Sequence, residues 1–392
     1  MPNKPQFKYF LSDATNSVQK NSEIWSILLP TTRKPLQKVI DIPVTYGDYF
    51  SAVRSFLKQN RFENLISAFP QKINRQIIPE EIEKIRVCLI KHGEFYHPSL
   101  IEAVLDKKSY KFVLNVAIST AGMNCIEREY NCLKKLDNYF SFSSVPEVYS
   151  YGETCVKESR NKISMFLGEW FEGFNEFHIS HDRTDNKYKI LVWDTEKGNY
   201  FLSPNNTLEL YRQAAMILTG YYNIETFEQI FPWHHAAGDF VIKLQNNKAE
   251  LKLITVRQYA PMFAKKENKE TGRDVEMILE ALLVFLLNLS IRMRIDRIDG
   301  TGDIVWSDDI AVQGILKGFF QGLRRKDKTD SFSDSFDTCF HDYLLSSCTE
   351  KDFYDLSSAI INSYNPAAPE IPVIKQNIKK HAEVLYKAIT SM

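Results

Sequence analysis

One short segment carries side chains suited to proton transfer. Trp233 to Val241 reads Trp-His-His-Ala-Ala-Gly-Asp-Phe-Val, so a histidine-rich turn leads to Asp239 and then into a strand. A carboxylate held at the end of a turn can serve as a general base when a neighbouring group orients it. Asp239 is therefore the candidate base, and His235 is the candidate orienting residue. A metal bound by His234, His235 and Asp239 is the weaker interpretation, because two adjacent histidines rarely face one ion.

A second candidate residue, Asn115, lies on a predicted strand at Lys111 to Ala117. Side chains alternate between the two faces of a strand, so Lys111 and Asn115 share one face. Asn115 can hydrogen-bond a phosphate or an amide, but it brings no charge. Lys111 does bring a charge, about four residues earlier and on the order of 13 Å away along the strand.

The elements that must position these residues are predicted from hydrophobic periodicity. Three strands, one helix and two strands are predicted in turn, at about 86–90, 100–105, 112–119, 124–136, 146–152 and 162–168. After a linker at Glu169 to Phe174, most of the chain is predicted helical, at about 207–222, 272–295, 310–325, 336–346, 350–363 and 370–390. A β-hairpin over 239–259 is the exception.

These elements predict an α+β fold in three parts. Residues 1–84 form a helical N-terminal extension, residues 85–168 a β-rich lobe, and residues 169–392 a mainly helical lobe. The 26 Phe and 19 Tyr residues can fill a substantial core.

The bulk composition narrows the function classes. Lys plus Arg equals Asp plus Glu at 49 each, so no net charge draws the 392-residue chain to nucleic acid or to an anionic membrane. The longest apolar run, Ile278 to Ile291, is too short to span a bilayer. Six scattered cysteines are expected to be buried free thiols in a reducing compartment. The sequence therefore predicts a soluble cytoplasmic protein, with neither nucleic acid nor membrane as a partner.

The order of elements resembles the protein-kinase-like superfamily, and in detail its aminoglycoside-phosphotransferase and choline-kinase branch, over roughly residues 85 to 345. The resemblance implies a bilobal fold, ATP with magnesium as cofactor, and phosphoryl transfer with Asp239 as base. It also implies a set of nucleotide-binding positions. These are Asn115 in place of the family's lysine, Glu129 as that lysine's partner, Glu169 and Phe171 between the lobes, and Arg257 on the metal-binding strand.

The chain departs from this family at its charged positions. Asn115 stands where the lysine belongs, and Leu244 stands where a metal-binding asparagine is expected. On the next predicted strand the metal-binding aspartate is replaced, and Arg257 would put a positive charge where the cation belongs. Phosphoryl transfer depends on positioning and charge neutralisation, so each loss typically costs orders of magnitude in rate. Without its lysine, Glu129 is expected to lie exposed near the start of a helix.

The sequence therefore favours a kinase-fold protein with degenerate catalytic residues, which binds a nucleotide or small ligand or regulates a protein partner. No residue is assigned to a metal. Two alternatives stay open: an active ATP-dependent small-molecule phosphotransferase with Asp239 as base, and a non-enzymatic scaffold for protein interaction.

Overall fold

The computed structural model describes residues 5–12, 16–30, 43–93, 95–140, 142–155, 162–231, 237–261, 275–326 and 336–392. Contacts within the chain divide it into two compact units, Met1–Glu172 (unit 1) and Gly173–Met392 (unit 2).

Unit 1 is built on a six-stranded sheet. Its strands are β1 (Gln6–Leu11), β2 (Ile82–Leu89), β3 (Ser99–Leu105), β4 (Lys108–Ala117), β5 (Val148–Cys155) and β6 (Lys162–Glu169). Their order in the sheet is β1-β2-β3-β4-β6-β5, with β1 parallel to β2 and the other pairs antiparallel. The helices are α1 (Glu23–Ser26), α2 (Tyr46–Ile66), α3 (Pro70–Ile73) and α4 (Thr120–Tyr139).

Helices cover both faces of this sheet. Met165 and its neighbours on one face of β6 share a hydrophobic core with Tyr49 and Phe56 of α2. Phe166 points to the opposite face, where its ring lies 6.1 Å from that of Tyr130 on α4. This two-sided cover explains why six successive residues of β6 are buried, since a strand with one solvated face would alternate.

The first 84 residues were predicted as a helical extension, and they contribute more than helices to unit 1. α2 is the long helix in this stretch, and residues Gln59 to Phe62 leave helical geometry within it. β1, which the sequence prediction missed, adds an edge strand beside β2.

Unit 2 combines six helices with small sheets in the described ranges. The helices are α5 (Pro204–Tyr221), α6 (Val275–Arg292), α7 (Ile310–Arg324), α8 (Phe336–Ser347), α9 (Glu350–Asn362) and α10 (Ile371–Thr390). The strands are β7 (Phe177–Asp182), β8 (Lys187–Val192), β9 (Tyr200–Phe201), β10 (Glu228–Ile230), β11 (Phe240–Gln245), β12 (Lys248–Leu253), β13 (Tyr259–Pro261), β14 (Ile295–Arg297) and β15 (Ile304–Trp306).

The strands of unit 2 form four separate sheets. β7, β8 and β9 make a three-stranded sheet, and β10–β13, β11–β12 and β14–β15 each make a pair. The β11–β12 pair confirms the predicted hairpin, whereas most of the other strands were not predicted.

A glycine stripe lets α7 lie directly on α5. Gly314, Gly318 and Gly322 recur every fourth residue on α7. A Cβ added at Gly314 would lie 2.6 Å from the backbone oxygen of Leu208, and one added at Gly322 would lie 2.7 Å from Cβ of Thr219. Because real Cβ atoms do not approach so closely, the two helix backbones can be this near only if these positions carry no side chain.

A buried histidine joins α10 to α6 and to the short segment between α6 and β14. His381 is 1% exposed. Its Nε2 lies 3.0 Å from Oγ of Ser290, and Arg294 donates from Nη1 to its Nδ1 at 3.4 Å. An arginine can only donate, so Nδ1 must accept, and Nε2–H donates to Ser290. The neutral ring therefore satisfies this network. Burial, with the Arg294 charge second, lowers the pKa of His381 from 6.5 to about 3.

His381 should make the protein acid-sensitive. Its pKa is lower in the folded chain than in the unfolded one, so the unfolded chain binds more protons between pH 6.5 and about 3. The stabilising contribution of His381 is complete above pH 6.5 and is lost as pH falls toward 3. Relative to His381→Gln, the wild-type free energy of unfolding should fall by about 1 kcal/mol per pH unit below 6 in urea titrations. His181→Gln, at an exposed position, is the control and should follow the wild type. Parallel curves for wild type and His381→Gln would contradict the expectation.

A second buried network fixes β7 to the turn after β14. His178 Nδ1 lies 3.0 Å from Asp296 Oδ1, and the backbone N–H of Ile179 donates to Asp296 Oδ2 at 2.7 Å. Gly300, with φ of 71°, closes the turn against His178. A Cβ added at Gly300 would lie 2.8 Å from His178 Nε2.

Replacing Gly300 with alanine should therefore cost more than backbone strain alone. Gly198 supplies the control, because its φ is 88° and nothing lies within 4 Å of an added Cβ. We expect Gly198→Ala to lower the free energy of unfolding by about 1 kcal/mol and Gly300→Ala by about 2 kcal/mol more. Chemical denaturation of both variants measures the difference, and equal losses would show that His178 is not held in place.

These elements confirm the predicted α+β class, and they are compatible with a bilobal kinase-like fold. Within the described ranges, no helix has both the length and the apolar character needed to cross a membrane. Of the six cysteines, only Cys348 is buried, whereas Cys155 is exposed and the other four are half-buried. The predicted burial is thus wrong for the other five, because most of them lie on partly exposed positions of their elements.

Candidate functional site

The β11–β12 hairpin positions Asp239. Its two-residue loop, Asn246-Asn247, has φ values of 51° and 60°, which is the geometry that suits the twist of a tight hairpin and that asparagine tolerates. Gln213 of α5 anchors the hairpin by bonding the backbone of Ala249 at 2.6 Å and of Leu251 at 2.9 Å. Asp239 immediately precedes β11 and is therefore held at the open end of a rigid hairpin.

Antiparallel pairing brings the segment after β12 beside Asp239. Phe240 pairs with Leu253, and the N–H of Ile254 donates to the carbonyl oxygen of Asp239 at 2.8 Å. Gly238, with φ of 85°, makes the turn into Asp239. Arg257 follows three residues after Ile254, within side-chain reach of the Asp239 carboxylate.

The two candidate residues of unit 2 form an ion pair. Arg257 Nη2 lies 2.9 Å from Asp239 Oδ1. The Asp239 side chain is 5% exposed and the Arg257 side chain 23% exposed, so the carboxylate is the more deeply buried member of the pair. A charge-assisted bond of this length between partly buried groups is among the stronger polar contacts in proteins.

The prediction that Arg257 lies on a strand is wrong. β12 ends at Leu253, and β13 begins only at Tyr259. Val256 is fully buried between them, which leaves Thr255 and Arg257 on the more exposed side of an irregular segment. Freed from strand pairing, Arg257 can turn toward Asp239.

Leu244, at the position of the expected metal-binding asparagine, lies in β11 opposite Ala249. The preceding residue, Lys243, holds its Nζ 5.7 Å from the centre of the Phe174 ring. Neither the Leu244 nor the Lys243 side chain offers an oxygen ligand for a hard cation.

In unit 1, Asn115 is a half-buried residue of β4 opposite Phe166 of β6. It therefore faces the side of the sheet that α4 covers. Lys111 lies nearer the start of β4, and its Nζ pairs with Glu172 Oε1 at 2.6 Å. Lys111, the charged residue that the sequence analysis named on this face of β4, is thus held in an ion pair with Glu172.

The burial of Glu129 shows that the sequence prediction for this residue was wrong. It was expected to be exposed near a helix start, but it lies midway along α4 and is 2% exposed. It is three residues after Ile126 and four before Leu133, so the apolar stripe of the helix carries it against the sheet. Its spacing from these two residues could have revealed this burial.

Glu169 and Phe171, the predicted positions between lobes, lie at the end of unit 1. The backbone N–H of Glu169 donates to the carbonyl oxygen of Glu147 at 2.8 Å, and its carboxylate lies 3.9 Å from Lys72 Nζ. This amide is thus engaged within the sheet. Phe171 is half-buried.

The structure places Asp239 and Arg257 in contact, whereas Asn115, Glu129, Glu169 and Phe171 belong to unit 1. His235, the predicted orienting residue, lies outside the described residues, as does His234. The sequence prediction named both members of the ion pair but missed the pair itself. The hairpin register, extended one step beyond Phe240 and Leu253, sets Asp239 opposite Ile254, but it does not place the side chain of Arg257 three residues later.

The residues fit magnesium poorly. Mg²⁺ in proteins takes oxygen ligands in near-octahedral geometry, with one or two carboxylates and the phosphates of the substrate. Here Asp239 supplies the carboxylate at the open end of the hairpin, and the Arg257 guanidinium already binds that carboxylate. In the ranges that the structure covers, no group of three His, Cys, Asp or Glu side chains could hold a metal.

No protein-family model and no curated protein match the sequence. A solved structure of WaaP in complex with acyl carrier protein is similar at 9% sequence identity, covering 76% of this chain and 87% of that chain, with a TM-score of 0.29. A TM-score of this size does not establish a shared fold, so the interpretation of the site depends on its own geometry.

Proposed function

We propose that this chain is a kinase-fold protein with degenerate catalytic residues, which binds a nucleotide or small ligand or regulates a protein partner and does not transfer phosphate. The observation that carries the proposal is the 2.9 Å ion pair between Asp239 and Arg257. A general base must reach the proton that it removes, within about 3 Å. A carboxylate that is 5% exposed and already paired with an arginine is poorly placed to reach a substrate hydroxyl.

The side chains at two other assigned positions support the same conclusion. Asn115 supplies no charge at the position that the resemblance assigns to the lysine, and Leu244 supplies no oxygen ligand at the position of the metal-binding asparagine. Loss of several such groups leaves a binding site more readily than a catalyst.

Thermal denaturation with ATP and ADP, each with and without magnesium, tests the proposal. A ligand present at 100 times its Kd should stabilise the folded state by about 2.7 kcal/mol, which raises the midpoint by several degrees. No shift at millimolar nucleotide would overturn the nucleotide proposal and favour the scaffold alternative. Nucleotide turnover that Asp239→Ala abolishes would favour the active phosphotransferase instead.

A further inference from the structure

The exposed member of the Asp239–Arg257 pair is the cation. The Arg257 side chain is 23% exposed and the Asp239 side chain 5% exposed, so a ligand arriving at this end of the hairpin meets the guanidinium before the carboxylate. A site that presents a guanidinium selects an anion. Arginine matches phosphate oxygens well because its donors lie in a planar fork.

The same pair disfavours a divalent cation. A metal bound to Asp239 would lie within a few ångströms of the Arg257 guanidinium, since both would share one carboxylate. Two positive charges so close repel strongly where solvent is largely excluded. The neighbouring residue Thr255 provides no second carboxylate to compensate. Magnesium could therefore bind only after Arg257 had moved away.

We infer that this site takes a phosphate-bearing ligand directly on Arg257, with the guanidinium in place of magnesium, so that binding is independent of divalent cations. The inference rests on the proposed function and adds to it the chemical class of the ligand and the absence of a metal requirement. Asp239 acts in this arrangement as a positioning residue, because its carboxylate holds the Arg257 guanidinium in place.

Isothermal titration of the full chain with ADP, in EDTA and in magnesium, tests the inference. We expect the Kd values to agree within about twofold, and Arg257→Gln to weaken binding in EDTA by about tenfold or more, the usual worth of a hydrogen bond to a charged group. Arg183→Gln, an exposed arginine of unit 2 in the β7–β8 turn, is the matched control and should bind as the wild type does. Pyrophosphate should compete with ADP in EDTA, because the phosphates carry the contact.

Three other outcomes of these titrations lead to different conclusions. Binding to wild type only with magnesium overturns the inference and leaves the proposed function standing. Binding in EDTA that Arg257→Gln leaves unchanged also overturns it, since the ligand then sits elsewhere. No binding under either condition overturns the inference together with the nucleotide-binding part of the proposed function.

The Arg257→Asp variant distinguishes a loss of ligand binding from a loss of folding. This substitution removes the guanidinium and adds a second carboxylate beside Asp239. We expect its ADP binding in EDTA to fall by about tenfold and magnesium to restore it, since two carboxylates suit that ion. Recovery by magnesium requires folded protein, and a variant that binds ADP equally well in EDTA would contradict the role of Arg257.

Discussion

Replacing Gly318 with alanine is expected to lower the free energy of unfolding by about 3 kcal/mol. A Cβ added at this position would overlap the carbonyl oxygen of Arg212 on α5 and would lie 2.8 Å from its carbonyl carbon. These are backbone atoms of a packed helix, so α7 would have to move away from α5. Helix propensity alone predicts the opposite sign, because alanine stabilises a helix by about 1 kcal/mol relative to glycine.

Urea denaturation of Gly318→Ala measures this loss. Lys317→Ala, at the adjacent and exposed position of α7, is the control and should stay within about 0.5 kcal/mol of the wild type. A gain in stability for Gly318→Ala would show that α5 and α7 are not packed backbone to backbone. Unit 2 would then need a different helix arrangement.

Breaking the Asp239–Arg257 pair from one side should cost nearly as much. Arg257→Gln leaves a carboxylate that is 5% exposed without its ion-pair partner, and losses of about 3 kcal/mol are usual when one member of a buried pair is removed. Asp239→Asn combined with Arg257→Gln removes both charges together. The double variant should therefore be more stable than the sum of the single losses predicts, by about 1.5 kcal/mol or more.

A double-mutant cycle in urea gives this coupling. The control pair is Lys351–Asp355 on α9, which has a shorter separation of 2.6 Å but side chains that are 82% and 51% exposed. An exposed pair of this kind should couple by about 0.5 kcal/mol or less. If the two cycles gave equal coupling, the Asp239–Arg257 contact would be no stronger than a solvated surface pair.

Local patterns were sufficient to predict most of the elements. The alternation over residues 82–117 and the apolar stripes of α4 to α10 reflect contacts that each element makes along its whole length. β1 escaped because its partner β2 lies more than 70 residues away and the pairing is parallel. No local signal in Gln6–Leu11 specifies that partner.

The site was predictable in its residues and not in its contacts. Asp239 stands out by its motif, and the β11–β12 hairpin around it follows from a two-residue asparagine loop. The position of Arg257 depends on where β12 stops pairing, and that end is not visible in the alternation. Glu129 shows the opposite problem, since its charge suggested exposure while its spacing on α4 placed it against the sheet.

The glycine stripe of α7 shows another limit of prediction from the sequence. A glycine at every fourth position predicts close approach to a neighbour, but it does not say which element approaches. Only the fold identifies α5 as that element, through the contacts of Leu208, Arg212 and Thr219.

Phosphate release from ATP by the purified chain, compared with Asp239→Ala, tests the central claim most directly. The claim is that Arg257 holds Asp239 in an ion pair and that the site binds without transferring phosphate. Wild type and variant should both release phosphate at the background rate, under conditions in which the wild type binds nucleotide. Turnover by the wild type that disappears in Asp239→Ala would show that Asp239 is a working base, and would contradict the account.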